Sequence, residues 1–174
     1  MTESSSNSSS VISLPKGGGA LCGMGEKFSP QLVAEPQRMV VKLLVGRDDF
    51  PSNLENIRIR HILLYFSRAD GMTQEILVEH LKLVDPLGHE TSGGSARTID
   101  GTISTRRGNG SPWLPLIGGG AGLGAQQPFG TWELSLRNSN AGEAQQLKDA
   151  FDKDLIDDIL LVVSYEGDTP SWPK

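Results

Sequence analysis

The sequence has little of what builds stapled, membrane-spanning or nucleic-acid-binding proteins. One of its 174 residues, Cys22, is a cysteine, which excludes an internal disulfide. No run of about 18 apolar residues occurs, so we expect no membrane span. The 16 basic residues are scattered and outnumbered by 21 acidic ones, which disfavours a nucleic-acid partner. The N-terminus lacks the basic and apolar regions of a classical signal peptide, so the localisation is left unassigned.

Glycine and proline are plentiful, with 21 and 10 residues, and they separate short stretches of alternating apolar and polar side chains. The clearest is 130–137, a predicted strand with one face in a core and one in water. Its apolar side consists of Trp132, Leu134 and Leu136, and its polar side of Thr131, Glu133, Ser135 and Arg137. A sheet with a wet face implies antiparallel pairing and a second layer over the dry face.

The rest of the sequence predicts further strands at 39–45, 57–67, 74–84 and 156–165. A weaker strand is predicted at 98–105, and a short helix within 138–154. In 57–67 the alternation places Ile57 and Ile59 on one face with Leu63 and Tyr65, and Ile62, Leu64 and Phe66 on the other. We therefore predict an all-β fold, an antiparallel β-sandwich of jelly-roll or immunoglobulin-like type with one short helix.

The first 37 residues have a different composition. Residues 2–10 are a serine tract with few groups to bury, and the following Gly-rich arm carries scattered apolar side chains. We expect residues 1–37 to be a disordered tail and arm, and 38–174 to be the β-sandwich binding domain. The arm cannot close a core alone, but it could lie along another surface.

Possible catalytic and ligand motifs have simpler explanations. Lys16 beside three glycines does not match the P-loop order, and the G-x-G-x-x-A pattern at 120–125 precedes Pro128 and a strand, where a dinucleotide site needs a helix. The three histidines, His61, His80 and His89, lack metal-ligand spacing. We predict a protein that is not an enzyme, with no catalytic residue, metal or cofactor.

Two tryptophans next to prolines allow two interpretations. Trp113 and Trp172 pack into the core or rim, or they form aromatic platforms of a carbohydrate-binding sandwich together with the loop 118–124. Glycan recognition by a lectin-like domain is therefore the alternative function.

Several stretches resemble proteins of the Tc insecticidal toxin complexes. Residues 12–28 resemble the opening segment of the B components and of the related SpvB proteins. A second resemblance, across residues 40–166, is to the C-terminal B-component-binding domain of the A components. It is carried by Phe50-Pro51 with Ile57-Arg-Ile-Arg60, Trp113-Leu-Pro-Leu116, Gly130-Thr-Trp-Glu-Leu-Ser-Leu136 and Asp158-Ile-Leu-Leu-Val-Val-Ser-Tyr165.

This resemblance implies a β-sandwich that docks one toxin subunit onto another and is released within an extracellular complex. The expected partner is a B-type component or a related toxin subunit. We expect the partner-binding residues to be Ile12, Leu14, Lys16, Leu21, Met24, Phe28, Trp113, Leu114 and Leu116.

Overall fold

Short alternating stretches, cut by glycine and proline, form two antiparallel sheets. The computed structural model describes residues 5–15, 31–33, 38–68, 71, 75–118, 126–137, 149–150, 152–153 and 155–170. The strands are β1 (Ser5–Pro15), β2 (Gln31–Val33), β3 (Arg38–Val45), β4 (Glu55–Arg68), β5 (Leu77–Val84), β6 (Glu90–Gly93), β7 (Ala96–Arg97), β8 (Thr102–Ser104), β9 (Gly130–Arg137) and β10 (Ile156–Asp168). Two 3₁₀ helices accompany them, η1 (Arg47–Asp49) and η2 (Gly108–Ile117).

The strands divide into a four-stranded and a six-stranded sheet. The first has the order β1-β10-β4-β8, and the second has the order β2-β3-β9-β5-β6 with β7 beside β5. Every pairing between these strands is antiparallel. Their facing sides share one hydrophobic core, which confirms the predicted antiparallel β-sandwich.

Strand β9 lies in the middle of the six-stranded sheet and confirms the clearest sequence prediction. Trp132, Leu134 and Leu136 are buried in the core. The polar side differs from the prediction at Ser135, which is fully buried although we expected it to face water. Its hydroxyl donates to Oε2 of Glu79 at 2.9 Å, from the neighbouring strand. A central strand has neighbours on both edges, so a small side chain on its outer face is easily covered.

Aromatic side chains close one part of the core. The Phe50 ring makes edge contacts with Phe129 and Tyr165, with centroids 5.2 and 4.9 Å apart. Arg47 lies over Phe129 and donates to the carbonyls of Phe50, Pro51 and Leu54, which holds the connection between β3 and β4. A cavity of about 10 Å³ between the sheets is lined by apolar side chains, which give a water molecule no hydrogen-bond partner.

Both strands that precede residue 38 pair with strands of the sandwich. β1, which contains part of the serine tract, lies along β10, and β2 lies along β3. This pairing needs only backbone groups, so a tract with few apolar side chains can take part. Residues 1–4 and 16–30 lie outside the described residues.

The predicted helix is described only near its end. Asp149, Ala150 and Asp152 are helical, and the Lys153 N–H donates to the Asp149 carbonyl at 2.9 Å. The proposed helix start near residue 140 and the glycine pattern at 120–125 lie outside the described residues.

Candidate interaction surface

The predicted partner-binding residues of the arm are only partly placed. Ile12 and Leu14 belong to β1, opposite Leu161 and Ile159 of β10. Lys16, Leu21, Met24 and Phe28 lie outside the described residues. The structure thus brings one end of the arm to the edge of the four-stranded sheet.

The other predicted contacts lie on η2, which has a period of three. Gly110, Trp113 and Leu116 are its buried residues, as expected where side chains three apart eclipse one another. Trp113 and Leu116 have no exposed surface, whereas Leu114 between them is 37% exposed. Of the three predicted residues on η2, Leu114 is therefore the one that a partner can touch directly.

The backbone makes close contact with the Trp113 ring. The indole Nε1 donates to the Gly94 carbonyl at 2.9 Å. A Cβ added at Gly93 would lie 2.6 Å from the ring, so only glycine lets η2 pack this closely on β6. Trp113 is consequently a core residue, as the packing interpretation predicted, and its ring is not an exposed platform.

A β-bulge in β4 decides which residues face outward on the four-stranded sheet. Tyr165 of β10 pairs with Ile59, and the adjacent Ser164 pairs with His61, so Arg60 is an extra residue on β4. A bulge shifts the alternation by one position. Ile59 therefore shares the inner face with Ile62, contrary to the strict alternation that the sequence predicted.

The residues after the bulge form the apolar patch, which we define as Leu63, Tyr65, Leu160 and Val162 on the outer face of β4 and β10. Leu160 pairs with Tyr65, and Val162 pairs with Leu63. Tyr65 is 37% exposed and the other three are half-buried, although their strand neighbours in the core are almost fully buried. Sequence reasoning missed the patch, since without the bulge this face could not be told from the core.

Ion pairs border the patch at the far end of the same two strands. Arg60 contacts Glu166 at 2.6 Å, and Arg58 lies 3.7 Å from Asp168. Asn56 adds a hydrogen bond to Asp168 at 2.8 Å. The arrangement is an apolar centre with a charged margin, which resembles the core and rim of a protein interface.

His61 lies at the bulge in a polar network. Its Nδ1 is 2.6 Å from the Thr105 hydroxyl, and its Nε2 is 3.5 Å from the Ser104 hydroxyl. Burial, together with the nearby Arg106 guanidinium, lowers the pKa of His61 below its ordinary value. Both His61 and Ser104 are buried, so the contacts serve to hold the turn at 105–107 against β4.

The outer face of the six-stranded sheet carries charge at its centre and an exposed leucine, Leu44, on β3. Glu133 on β9 accepts contacts from Lys42 Nζ at 3.2 Å, Lys82 Nζ at 3.3 Å and His80 Nε2 at 3.3 Å. Partial burial alone would raise the pKa of Glu133, but hydrogen bonds from these three groups outweigh it and lower the pKa. One carboxylate thus joins three strands through ion pairs.

Asp85 and His89 close the hairpin between β5 and β6. Asp85 Oδ1 accepts from the N–H groups of Leu87 and His89, and its Oδ2 is 2.9 Å from His89 Nδ1. Desolvation would raise the pKa of Asp85, but the His89 side chain and these N–H groups lower it. The contacts are those of an Asx turn.

Within the described ranges, no group of three or more His, Cys, Asp or Glu side chains is placed to hold a metal ion. Nor does any described helix have the length and apolar character to cross a bilayer.

The fold defines the class of this protein, an antiparallel β-sandwich with an apolar patch on the outer face of one sheet. No protein-family model matches the sequence, and no curated protein matches it significantly.

Proposed function

We propose that this chain is a non-enzymatic protein–protein interaction module, related to the subunit-docking domain of Tc toxin complexes, which docks through the apolar patch. The observation that carries the proposal is the contrast in exposure along β4 and β10. Their inner side chains are buried, whereas Tyr65 and its three neighbours on the outer face remain in partial contact with water. Covering them would relieve an unfavourable exposure of apolar surface.

The patch is too small to be a whole interface. A stable protein contact covers about 800 Å² on each partner, and four half-exposed side chains supply the centre of such an area. Arg58 and Arg60, with their acidic partners, would form the rim, where charges steer and orient a partner more than they add affinity. Tyrosine is typical of the centre of an interface.

The predicted arm contacts lie on the same sheet as the patch but at positions of the opposite face. Ile12 and Leu14 pair with Leu161 and Ile159, which are buried in the core, whereas Val11 and Ser13 pair with Val162 and Leu160 of the patch. A partner that covers the patch would therefore reach β1 at the positions of Val11 and Ser13. The role of Ile12 and Leu14, and that of the arm residues beyond Pro15, remains a prediction.

The resemblance to the A components supports the proposal at the level of the fold. Its four stretches lie in elements that build the core: Phe50 in the aromatic cluster, Trp113 in η2, and the strands β9 and β10. These are residues that a shared sandwich needs. Two of the four patch residues, Leu160 and Val162, also lie in these stretches, whereas Leu63 and Tyr65 do not.

Size-exclusion chromatography with a purified B-type toxin component tests the proposal. We expect the wild-type chain to elute with the component, and Tyr65→Glu and Leu160→Glu to elute separately, because a buried charge without a partner opposes docking. Leu87→Glu is the matched control, since Leu87 is 82% exposed in the hairpin turn outside the patch. Circular dichroism and thermal unfolding verify that each variant is folded.

Two results would count against the proposal. Separate elution of the wild-type chain at micromolar concentrations would contradict the proposed toxin partner. Co-elution of both glutamate variants would contradict docking through the apolar patch. A glycan array provides the comparison with the carbohydrate alternative. Glycan binding that Tyr65→Ser abolishes while the fold stays intact would favour a lectin-like domain.

A further inference from the structure

Strand β1 is attached to the sandwich along one edge. It pairs with β10 from Ser5↔Asp168 to Pro15↔Asp158, and it is the terminal strand of its sheet. Among the described strands, β10 is the one with which it pairs. The attachment is thus a single antiparallel ladder.

The composition of β1 makes this ladder the main source of its stability. Six of its 11 residues are serine and one is asparagine, so most of the strand has little apolar side-chain surface to offer. Backbone hydrogen bonds carry no sequence information, and polar strands specify their register weakly. The apolar residues from Val11 to Leu14 are what distinguishes one register from another.

The connection to the next strand is long. Fifteen residues, 16–30, separate β1 from β2, and five of them are glycine. A chain of fifteen residues can span at most about 50 Å when it is fully extended. The covalent connection therefore allows β1 to leave its own β10 and reach the β10 of a neighbouring copy.

We propose that β1 is an exchangeable strand, and that a second copy of this chain donates its own β1 to β10 to form a reciprocal, arm-exchanged dimer. The same eleven pairs of residues form in the monomer and in the dimer. The two states then differ chiefly in the freedom of the connection, so exchange takes place at protein concentrations on the order of millimolar. This proposal is independent of any toxin partner.

Disulfide trapping between full-length chains tests the exchange, with Cys22→Ser in every chain. Ser9 pairs with Ser164, so one chain carries Ser9→Cys as donor and the other carries Ser164→Cys as acceptor. The acceptor also carries Ile12→Pro and Ser13→Pro. Of two consecutive N–H groups in an edge strand, one faces the neighbouring strand. The two prolines therefore remove a hydrogen bond between the acceptor's own β1 and β10, which frees that β10 to pair with the donor's β1.

Two controls accompany the mixture. A donor with Ser10→Cys is one position out of register, since Ser10 pairs with Val163, and its thiol is directed to the other face of the sheet. A single chain with both Ser9→Cys and Ser164→Cys reports the pairing within one molecule.

We expect a disulfide-linked heterodimer with the Ser9→Cys donor, little with the Ser10→Cys donor, and an intrachain disulfide in the doubly substituted chain. Non-reducing electrophoresis and mass spectrometry measure all three. Equal trapping by the two donors would overturn the proposal, as would an intrachain disulfide without any heterodimer. Failure of the intrachain disulfide would also overturn it, because the register of β1 on β10 would then be incorrect.

Discussion

The two sheets have similar inner faces and contrasting outer faces. On the six-stranded sheet, Glu133 contacts Lys42, Lys82 and His80, so its charge is paired within the sheet. On the four-stranded sheet, the apolar patch includes Tyr65 and Leu160, whose apolar surface is partly exposed to water. An ionic face can remain in solvent, while an apolar face is stabilised by being covered. For this reason we propose docking on the four-stranded sheet.

Both outer faces depend on the one hydrophobic core between the two sheets. Trp132 lies in that core with 1% exposure, and its Nε1 donates to the Pro128 carbonyl at 2.9 Å. Trp132→Ala should lower the free energy of unfolding by about 3–5 kcal/mol, measured by urea denaturation, since it leaves a cavity and an unpaired carbonyl. Leu44→Ala is the control on the same sheet, because Leu44 is 72% exposed; its expected cost is about 0.5 kcal/mol. Similar costs for the two variants would contradict the described core.

The charged face depends on its central carboxylate. Glu133→Gln should reduce the free energy of unfolding by about 1–2 kcal/mol, because two lysines and His80 lose their shared carboxylate partner. The control is Glu90→Gln, which removes a single contact to Lys82 at 3.5 Å from a side chain 57% exposed, with an expected change of about 0.5 kcal/mol or less. Added salt should narrow the difference between wild type and Glu133→Gln. A difference that persists unchanged in salt would argue against an ionic origin.

Acidification should affect the two sheets in separate pH ranges. The pKa of His61 is lowered in the folded chain, so on acidification the unfolded chain takes up the proton first. The contribution of His61 to stability is therefore complete above pH 6.5 and falls as the pH drops below that value. The pKa of Glu133 is also lowered, so its contribution is complete above its ordinary pKa of 4.5 and is lost as the pH falls through the folded value.

Urea denaturation across a pH series measures both effects, each limited to about 1.4 kcal/mol per pH unit for one proton. His61→Gln should flatten the slope just below pH 6.5, and Glu133→Gln should flatten it below pH 4.5. If either variant flattened the slope in the other range, the assignment of the two groups would be incorrect.

A substitution within the apolar patch should change the stability of the fold least but should change docking strongly. Val162→Thr places a hydroxyl in the apolar patch and should alter the free energy of unfolding by about 0.5 kcal/mol or less, because threonine is also favoured in strands. It should weaken co-elution with a B-type component. Val84→Thr makes the same substitution on the six-stranded sheet, where Val84 is half-buried, and should leave co-elution unchanged. If Val162→Thr and Val84→Thr weakened co-elution equally, docking would not be specific to the four-stranded sheet.

Most strands could be predicted because each carries its own pattern. Gly130–Arg137 alternates apolar and polar residues, and β3, β4, β5 and β10 lie where β-prone runs are bounded by turn residues. η2 was missed, although Trp113 and Leu116 are three positions apart and Pro112 and Pro115 repeat the same interval. A period of three in a proline-rich stretch is the signal that could have indicated a 3₁₀ helix.

The surface was harder to predict than the strands. The extra residue at Arg60 reverses the alternation within β4, so Leu63 and Tyr65 face outward although the sequence pairs them with Ile57 and Ile59. The contacts of Glu133 similarly depend on the register of β3 and β5 on β9, which brings Lys42 and Lys82 opposite it. No local pattern encodes either relation.

The amino-acid sequence determined that this protein is built of antiparallel strands around a shared core, because side-chain alternation along a strand is a local property. The tertiary structure alone decided which sheet carries the apolar patch and which carries the ion pairs of Glu133. That choice follows from a bulge and from strand registers, and both are settled by hydrogen bonding between segments that lie far apart in the chain.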